Sequence, residues 1–159
     1  MKHIAVVTLV VATLVVMFAS TARAADPPTD RVIVMYFHRT QRCPTCLKMG
    51  SYSEEAVVKG FAQQIEDGTV EFHYVDFQDK KNAALTKGYK IGGPSLIVAR
   101  VAKNKVLEVN DLKEIWTKNR DKEVFLKYVR DNVAAYQKPT SQNRAEAGTR
   151  HLGAQDEVR

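Results

Sequence analysis

Arg31-Val32-Ile33-Val34-Met35-Tyr36-Phe37-His38 is a nearly unbroken apolar run. A polar loop, Arg39-Thr40-Gln41-Arg42, separates it from Cys43-Pro44-Thr45-Cys46. A run of this length and composition reads as a strand buried on both faces, as in the middle of an α/β sheet. Pro44 suits the first turn of a helix, where a missing N–H costs nothing. The two cysteines are the only ones in the chain, so both sulfurs lie at one strand-to-helix junction. That placement suits dithiol–disulfide chemistry.

Working outward, the helix opened near Cys43 is expected to reach about Asp67. Leu47, Met49, Val57, Val58, Phe61, Ala62 and Ile65 form its apolar stripe. Gly50-Ser51-Tyr52-Ser53 is expected to interrupt it, with Ser53-Glu54-Glu55-Ala56 as a fresh helix start or the site of a kink, and Glu54 and Glu55 as helix N-terminal charges. Gly68 should end it. A second strand is predicted over 70–77. A short helix from 79 or 80 to 87 follows, closed by Gly88. After the turn Ile91-Gly92-Gly93-Pro94-Ser95, a third strand is predicted over 96–101. A three-residue turn, Lys103-Asn104-Lys105, leads to a fourth strand over 106–110. The last helix is predicted over 121–136, with Val124, Phe125, Tyr128, Val129 and Val133 on its apolar face. The order is β-α-β-α-β-β-α. A right-handed βαβ crossover followed by an antiparallel hairpin gives a four-stranded mixed sheet flanked by helices.

The flanks read differently. Lys2 and His3 precede an apolar run from Ile4 to Phe18, and Ala22-Arg23-Ala24 offers an A-x-A cleavage pattern. Residues 1–24 therefore read as a secretory signal, with an uncleaved N-terminal membrane anchor as the alternative. Residues 25–30 read as a linker, 31–136 as one domain and 137–159 as a polar, disordered tail. The whole chain carries a net charge of +6, and about +4 after loss of the signal. Its lysines are scattered, with no dense basic stripe interleaved with aromatics, so nucleic acid is not an expected partner. An exported, periplasmic monomer is the expectation.

Export bears on the cysteines. In an oxidising compartment, paired cysteines usually form structural bridges between distant segments. A bridge across three residues closes almost no chain and adds little stability. Redox chemistry explains such a pair better. A copper or zinc site is the alternative, with His38 and His73 as the other domain ligands, although one CxxC supplies only two of the four ligands zinc takes.

Strand, CPTC, helix and a Gly-Gly-Pro before a strand resemble the thioredoxin-like superfamily over about Arg31 to Tyr136. More narrowly, three stretches resemble a small exported family of nitrophenyl compound nitroreductase subunits, the ArsF family. These are Tyr36-Phe37-His38, Arg42-Cys43-Pro44-Thr45-Cys46 and Tyr52-Ser53-Glu54-Glu55-Ala56. That narrower resemblance implies a link to reduction of nitro-aromatic compounds, including arsenicals. No G-x-G-x-x-G follows a strand, and no cofactor is expected. The chain then reads as an electron carrier. The superfamily resemblance implies that Cys43 is the exposed attacking cysteine and Cys46 the buried resolving one. It implies that Pro94 is a cis-proline facing the disulfide, with Gly93 before it. Arg42 stands where thioredoxin has a Trp, and Met35 or Tyr36 falls where thioredoxin has a buried Asp.

The residues themselves support the same chemistry. A helix N-terminus favours the Cys43 thiolate, and Arg42 and Arg39 favour it further. Cys43 would attack a disulfide and Cys46 would resolve the mixed disulfide. The arginines and the Pro-Thr pair predict a reduction potential above thioredoxin's, roughly −150 to −230 mV. A cis bond at Pro94 would set the backbone of Gly93 beside Cys43, where it can pair with an extended substrate. Cys43, Cys46 and Pro94 are thus the candidate catalytic residues, and Gly93 and Arg42 the candidate substrate-binding residues. Protein thiols and disulfides are the expected partners, with a membrane thiol-disulfide transporter as electron source. His38 reads as a polar strand end, His73 as a satisfied strand residue, Asp76 as a turn acid, and Trp116 and Tyr89 as packing residues.

Overall fold

The computed structural model describes residues 27–137. The expected signal and most of the expected tail lie outside the described residues. Ten elements follow in order. Strand β1 is Arg31–His38 and helix α1 is Pro44–Gly60, followed by a short α2, Ala62–Glu66. Strand β2 is Val70–Asp76. A 3-10 turn, Lys80–Asn82, runs into α3, Ala83–Gly88. Strands β3, Ser95–Ala102, and β4, Lys105–Asp111, form a hairpin. Helices α4, Ile115–Lys118, and α5, Lys122–Gln137, complete the fold.

The four strands make one sheet in the order β2-β1-β3-β4. β1 runs parallel to β2 and antiparallel to β3, and β4 is antiparallel to β3. The apolar run of β1 is central, as its composition requires. Its alternate residues supply two cores. Val32, Val34 and Tyr36 pack with Met49 and Val57 of α1 and with Phe125, Val129 and Val133 of α5. Met35 and Phe37 face the other way, with Val75, Ile97 and Ala99.

Several local expectations change. α1 runs unbroken through Gly50-Ser51-Tyr52-Ser53, so Glu54 and Glu55 sit in mid-helix. Gly50 serves packing instead: a β-carbon there would lie 2.9 Å from Cε1 of Tyr36 and 3.0 Å from Cε1 of Tyr74. The break comes later, at Phe61, whose φ of −134° and ψ of 40° leave the helical region. Gly88 is the last residue of α3 rather than its stop. The left-handed residue is Lys90, with φ 55°, and the Ile91 N–H reaches back to the Thr86 carbonyl at 2.9 Å. That six-to-one bond is the usual seal of a helix end. The hairpin turn has two residues, not three. Lys103 and Asn104 are both left-handed, at φ 51° and 59°, as the twist of a tight hairpin demands. The stretch read as a linker holds this turn. Asp30 accepts from the Lys103 N–H at 2.7 Å, and the Thr29 carbonyl accepts from the Asn104 N–H at 3.0 Å. On α5, Val124 is 46% exposed and Leu126 takes its place in the core; Trp116 is 47% exposed.

Gly50 and Gly60 make a matched pair for a stability test. An alanine gains up to about 1 kcal/mol of helix propensity at either site. At Gly50 the clash is with a buried, hydrogen-bonded ring. Gly50→Ala is expected to lose about 1–2 kcal/mol net through overpacking. At Gly60 a β-carbon meets only the flexible stem of Arg130, at 2.9 Å, so Gly60→Ala should be neutral or stabilising. Urea unfolding midpoints of the two variants read the difference. Equal midpoints would rule out Gly50 as a packing contact.

Candidate functional site

The site is the junction of β1 and α1. Cys43 is the N-cap of α1, extended at φ −75° and ψ 160°, and its sulfur accepts from the Cys46 N–H at 3.2 Å. Pro44 fills the first helical position, and the first turn carries no acidic residue. A negative sulfur at Cys43 is therefore met by a backbone donor and the positive end of a seventeen-residue helix, with no carboxylate in that turn to oppose it. Cys43 and Cys46 are joined as a disulfide, with Cα atoms 5.1 Å apart. Cys43 is exposed, whereas Cys46 is only 7% exposed. One sulfur is thus open to a partner and the other is sheltered.

The strand beneath orients this turn. The Tyr36 hydroxyl donates to the Cys46 carbonyl at 2.8 Å from a fully buried ring. Tyr74, on the neighbouring strand, meets Tyr36 edge-on at 6.0 Å and donates to Glu54 of α1 at 3.0 Å. Arg42 lies over the Tyr74 ring, 4.8 Å from its centroid, and its Nη2 is 2.7 Å from Nε2 of His38. A guanidinium only donates, so Nε2 of His38 accepts and its Nδ1–H donates to the Arg39 carbonyl at 2.9 Å. His38 is buried and braces Arg42 next to Cys43.

Sequence reasoning treated Tyr36 only as the residue near a missing acid. The signal that would have identified it is its inward strand position directly opposite the coming helix. His38 proves to be more than a strand end. Both of its ring nitrogens are engaged, which removes it as a ready metal ligand. His73 is bound to Glu71 at 2.8 Å on the exposed side of β2. Among the described residues, no three of His, Cys, Asp and Glu are grouped to hold a metal ion.

Pro94 requires a correction. No peptide bond among the described residues is cis, so the Gly93–Pro94 bond is trans. Lys90 ends α3 in the left-handed conformation. Gly92 and Gly93 then carry the chain to the strand with the ordinary X-Pro isomer, which is favoured by about 0.5–1 kcal/mol. Position is kept all the same. Ser95 pairs with Phe37, so Pro94 falls one step further, at the register of His38 and at the cysteine end of the sheet. Gly93 has open space where a β-carbon would sit, and its carbonyl accepts from the Ser95 hydroxyl at 3.1 Å. Loop 39–42 is tied to the end of β2: the Thr40 hydroxyl donates to Asp76 at 2.7 Å, and the Thr40 N–H donates to Gln78 at 3.1 Å. The Thr40 hydroxyl foremost, and then the Gln78 N–H, which donates to Asp76 at 2.9 Å, hold the Asp76 carboxyl below its usual range.

Burial pushes the Tyr36 hydroxyl up to about 12, against a smaller pull downward from Arg42. The unfolded chain loses this proton near pH 10, and the folded chain keeps it. Stability is therefore complete below pH 10 and falls as pH rises towards 12, by roughly 3 kcal/mol for the shift of about two units. Tyr74 is raised in the same direction, but it is more exposed and contributes less. Urea melts of oxidised Tyr36→Phe at pH 8 and pH 11 test this. The variant should lose about 1 kcal/mol at pH 8, where only the hydrogen bond to Cys46 is missing, and should fall less steeply with pH. An unchanged alkaline slope would exclude Tyr36 as its source.

No protein-family model matches the chain, and no curated protein does. Similar solved structures include two thioredoxins. One is thioredoxin-2, described as a component of the malaria parasite protein secretion machinery, at 18% identity over 56% of this chain and 85% of that one, with a TM-score of 0.38. The other is a thioredoxin from Thermus thermophilus, at 18% identity over 57% of this chain and 72% of that one, with a TM-score of 0.35. The chain's own topology carries the assignment: a central β1 parallel to β2 and antiparallel to β3, with a CxxC disulfide opening the helix after β1, is a thioredoxin-like fold.

Proposed function

We propose that this chain is an exported thiol-disulfide oxidoreductase that carries electrons between proteins through Cys43 and Cys46. The carrying observation is the asymmetry of the pair. Cys43 is exposed and caps α1 with its sulfur, while Cys46 is sheltered beneath it. In the reducing direction, the Cys43 thiolate attacks a partner disulfide. A new S–S bond forms to one partner sulfur, and the other leaves as a thiolate. Cys46 then attacks Cys43, closes the internal disulfide and releases the second partner thiolate. Two electrons pass to the partner, and the thiol proton of Cys46 ends on a released thiolate or in water.

The finer roles are carried by the same reading. The apolar N-terminal run and the A-x-A pattern support export. A membrane thiol-disulfide transporter is the electron source that an exported reductase requires. The resemblance to nitroreductase subunits fits a carrier that hands electrons to a separate nitro-reducing catalyst. Gly93 and Pro94 form one wall for the partner segment, and Arg42 supplies charge beside the attacking sulfur.

Trapping tests the order of attack. Reduced Cys46→Ser should accumulate a mixed disulfide with a disulfide-bonded protein such as insulin, and Cys43→Ser should form none. A mixed disulfide through Cys46 in the Cys43→Ser protein, equal in yield, would overturn the assignment. Equilibration with glutathione tests the poise. The couple should lie at roughly −150 to −230 mV, and Arg42→Gln should lower it by about 30 mV or less. A wild-type value near thioredoxin's, about −270 mV, would exclude thiolate stabilisation beyond thioredoxin's. Stoichiometric copper or zinc that blocks both thiols would replace the redox reading by a metal-binding one.

A further inference from the structure

The charge of the domain is unevenly placed. β2 ends at Asp76, which pairs with His38, and β3 begins at Ser95, which pairs with Phe37. The segment from Asp76 to Pro94 therefore leaves and re-enters the sheet at the cysteine end. It carries Lys80, Lys81, Lys87 and Lys90, and the loop before Cys43 adds Arg39 and Arg42. Against these six stand Asp76 and Asp79. Asp76 is held by Thr40 and Gln78, and Asp79 by the Lys81 N–H and ammonium. The remainder of residues 27–137 holds twelve basic and twelve acidic side chains. The net charge of +4 in the described domain thus resides in the loop before Cys43 and in the segment that leaves and re-enters the sheet at the cysteine end. All four lysines are exposed. Thr40 pins the loop of the two arginines to the start of the lysine segment, so both move as one rim.

We propose that this rim selects partners whose disulfide is flanked by acidic residues. The inference rests on the oxidoreductase reading above and names the partner chemistry for the same site. The excess positive charge lies at the end of the sheet where a partner must approach, and the charges of the rest of the described domain balance, so an acidic segment is drawn to the cysteine end. Charge complementarity of this kind acts mainly on the association rate and is screened by salt. The transferred electrons come from the protein's own dithiol, so a single turnover needs no other reductant.

The test uses the full chain, reduced and then freed of reductant. It is mixed with three peptide disulfides that differ only in flanking residues: Asp-Asp, Ser-Ser or Lys-Lys. At about 20 mM salt the acidic peptide should react roughly tenfold faster than the basic one, and near 300 mM the difference should largely close. Lys80→Glu/Lys87→Glu reverses two exposed charges away from the sulfur. It should abolish the preference while reducing the Ser-Ser peptide at the wild-type rate. Equal rates for all three peptides at low salt would overturn the proposal and leave the oxidoreductase reading standing. Equal rates with salt-sensitive retention on anionic lipid vesicles would assign the charge to a membrane surface instead. No reaction with any peptide would remove both.

Discussion

The Cys46 N–H donated to the Cys43 sulfur is the contact around which this site is built. A helix needs an N-cap, usually an oxygen, to receive one of its first free N–H groups. Here the cap is the exposed sulfur of the disulfide, so the group proposed to do the chemistry also begins the helix. Each neighbouring feature serves that arrangement. Pro44 makes no demand for a hydrogen bond, and β1 sets the turn at the end of a central strand. Tyr36 grips the Cys46 carbonyl from below. Acceptor strength at a cap rises with charge. A Cys43 thiolate is thus a stronger partner for the Cys46 N–H than a thiol is, and the helix start favours the ionised, attacking form.

The sheet makes this local arrangement rigid. β1 is flanked on both sides by hydrogen-bonded strands and covered on both faces, so its last residues have little freedom. Tyr36, His38 and Tyr74 then meet edge-on or tilted, with ring centroids 6.0 to 6.5 Å apart, as a wall beneath the turn. Arg42 is clamped between His38 and Tyr74. A flexible arginine would spend much of its time in solvent, whereas this one is held at His38 and Tyr74. Gly50 belongs to the same wall. Its missing side chain lets α1 approach the Tyr36 and Tyr74 rings, which brings Cys46 within reach of the Tyr36 hydroxyl.

Features set by local chemistry were legible in the chain. The apolar run of β1 named the central strand, and Pro44 and the cysteine spacing named the start of α1 and the exposed-to-buried order of the sulfurs. Features set by tertiary contact were not. Gly50 reads as a helix breaker until the two tyrosine rings against it are known. Gly88 looked like the stop of α3, but a non-glycine residue, Lys90, takes the left-handed position, because the six-to-one seal falls two residues later. Val124 and Leu126 both suit an apolar stripe, and only the rotation of α5 on the sheet decides between them. Pro94 was expected to be cis by resemblance alone. Nothing local requires that isomer.

Tyr36 also limits the chemistry that the site can perform. A buried acid near the resolving cysteine can accept its proton at neutral pH. A buried tyrosine cannot. Its hydroxyl is raised to about 12, so it remains protonated and donates to the Cys46 carbonyl throughout the working range. Tyr36 is therefore a positioning residue. In the proposed exchange, the proton of Cys46 must pass to a base that the reaction itself creates, and the departing partner thiolate is the one formed at that sulfur. Resolution then depends on how basic the leaving group is. In the proposed exchange, partners would be discriminated by their own thiol chemistry as well as by the proposed charge preference.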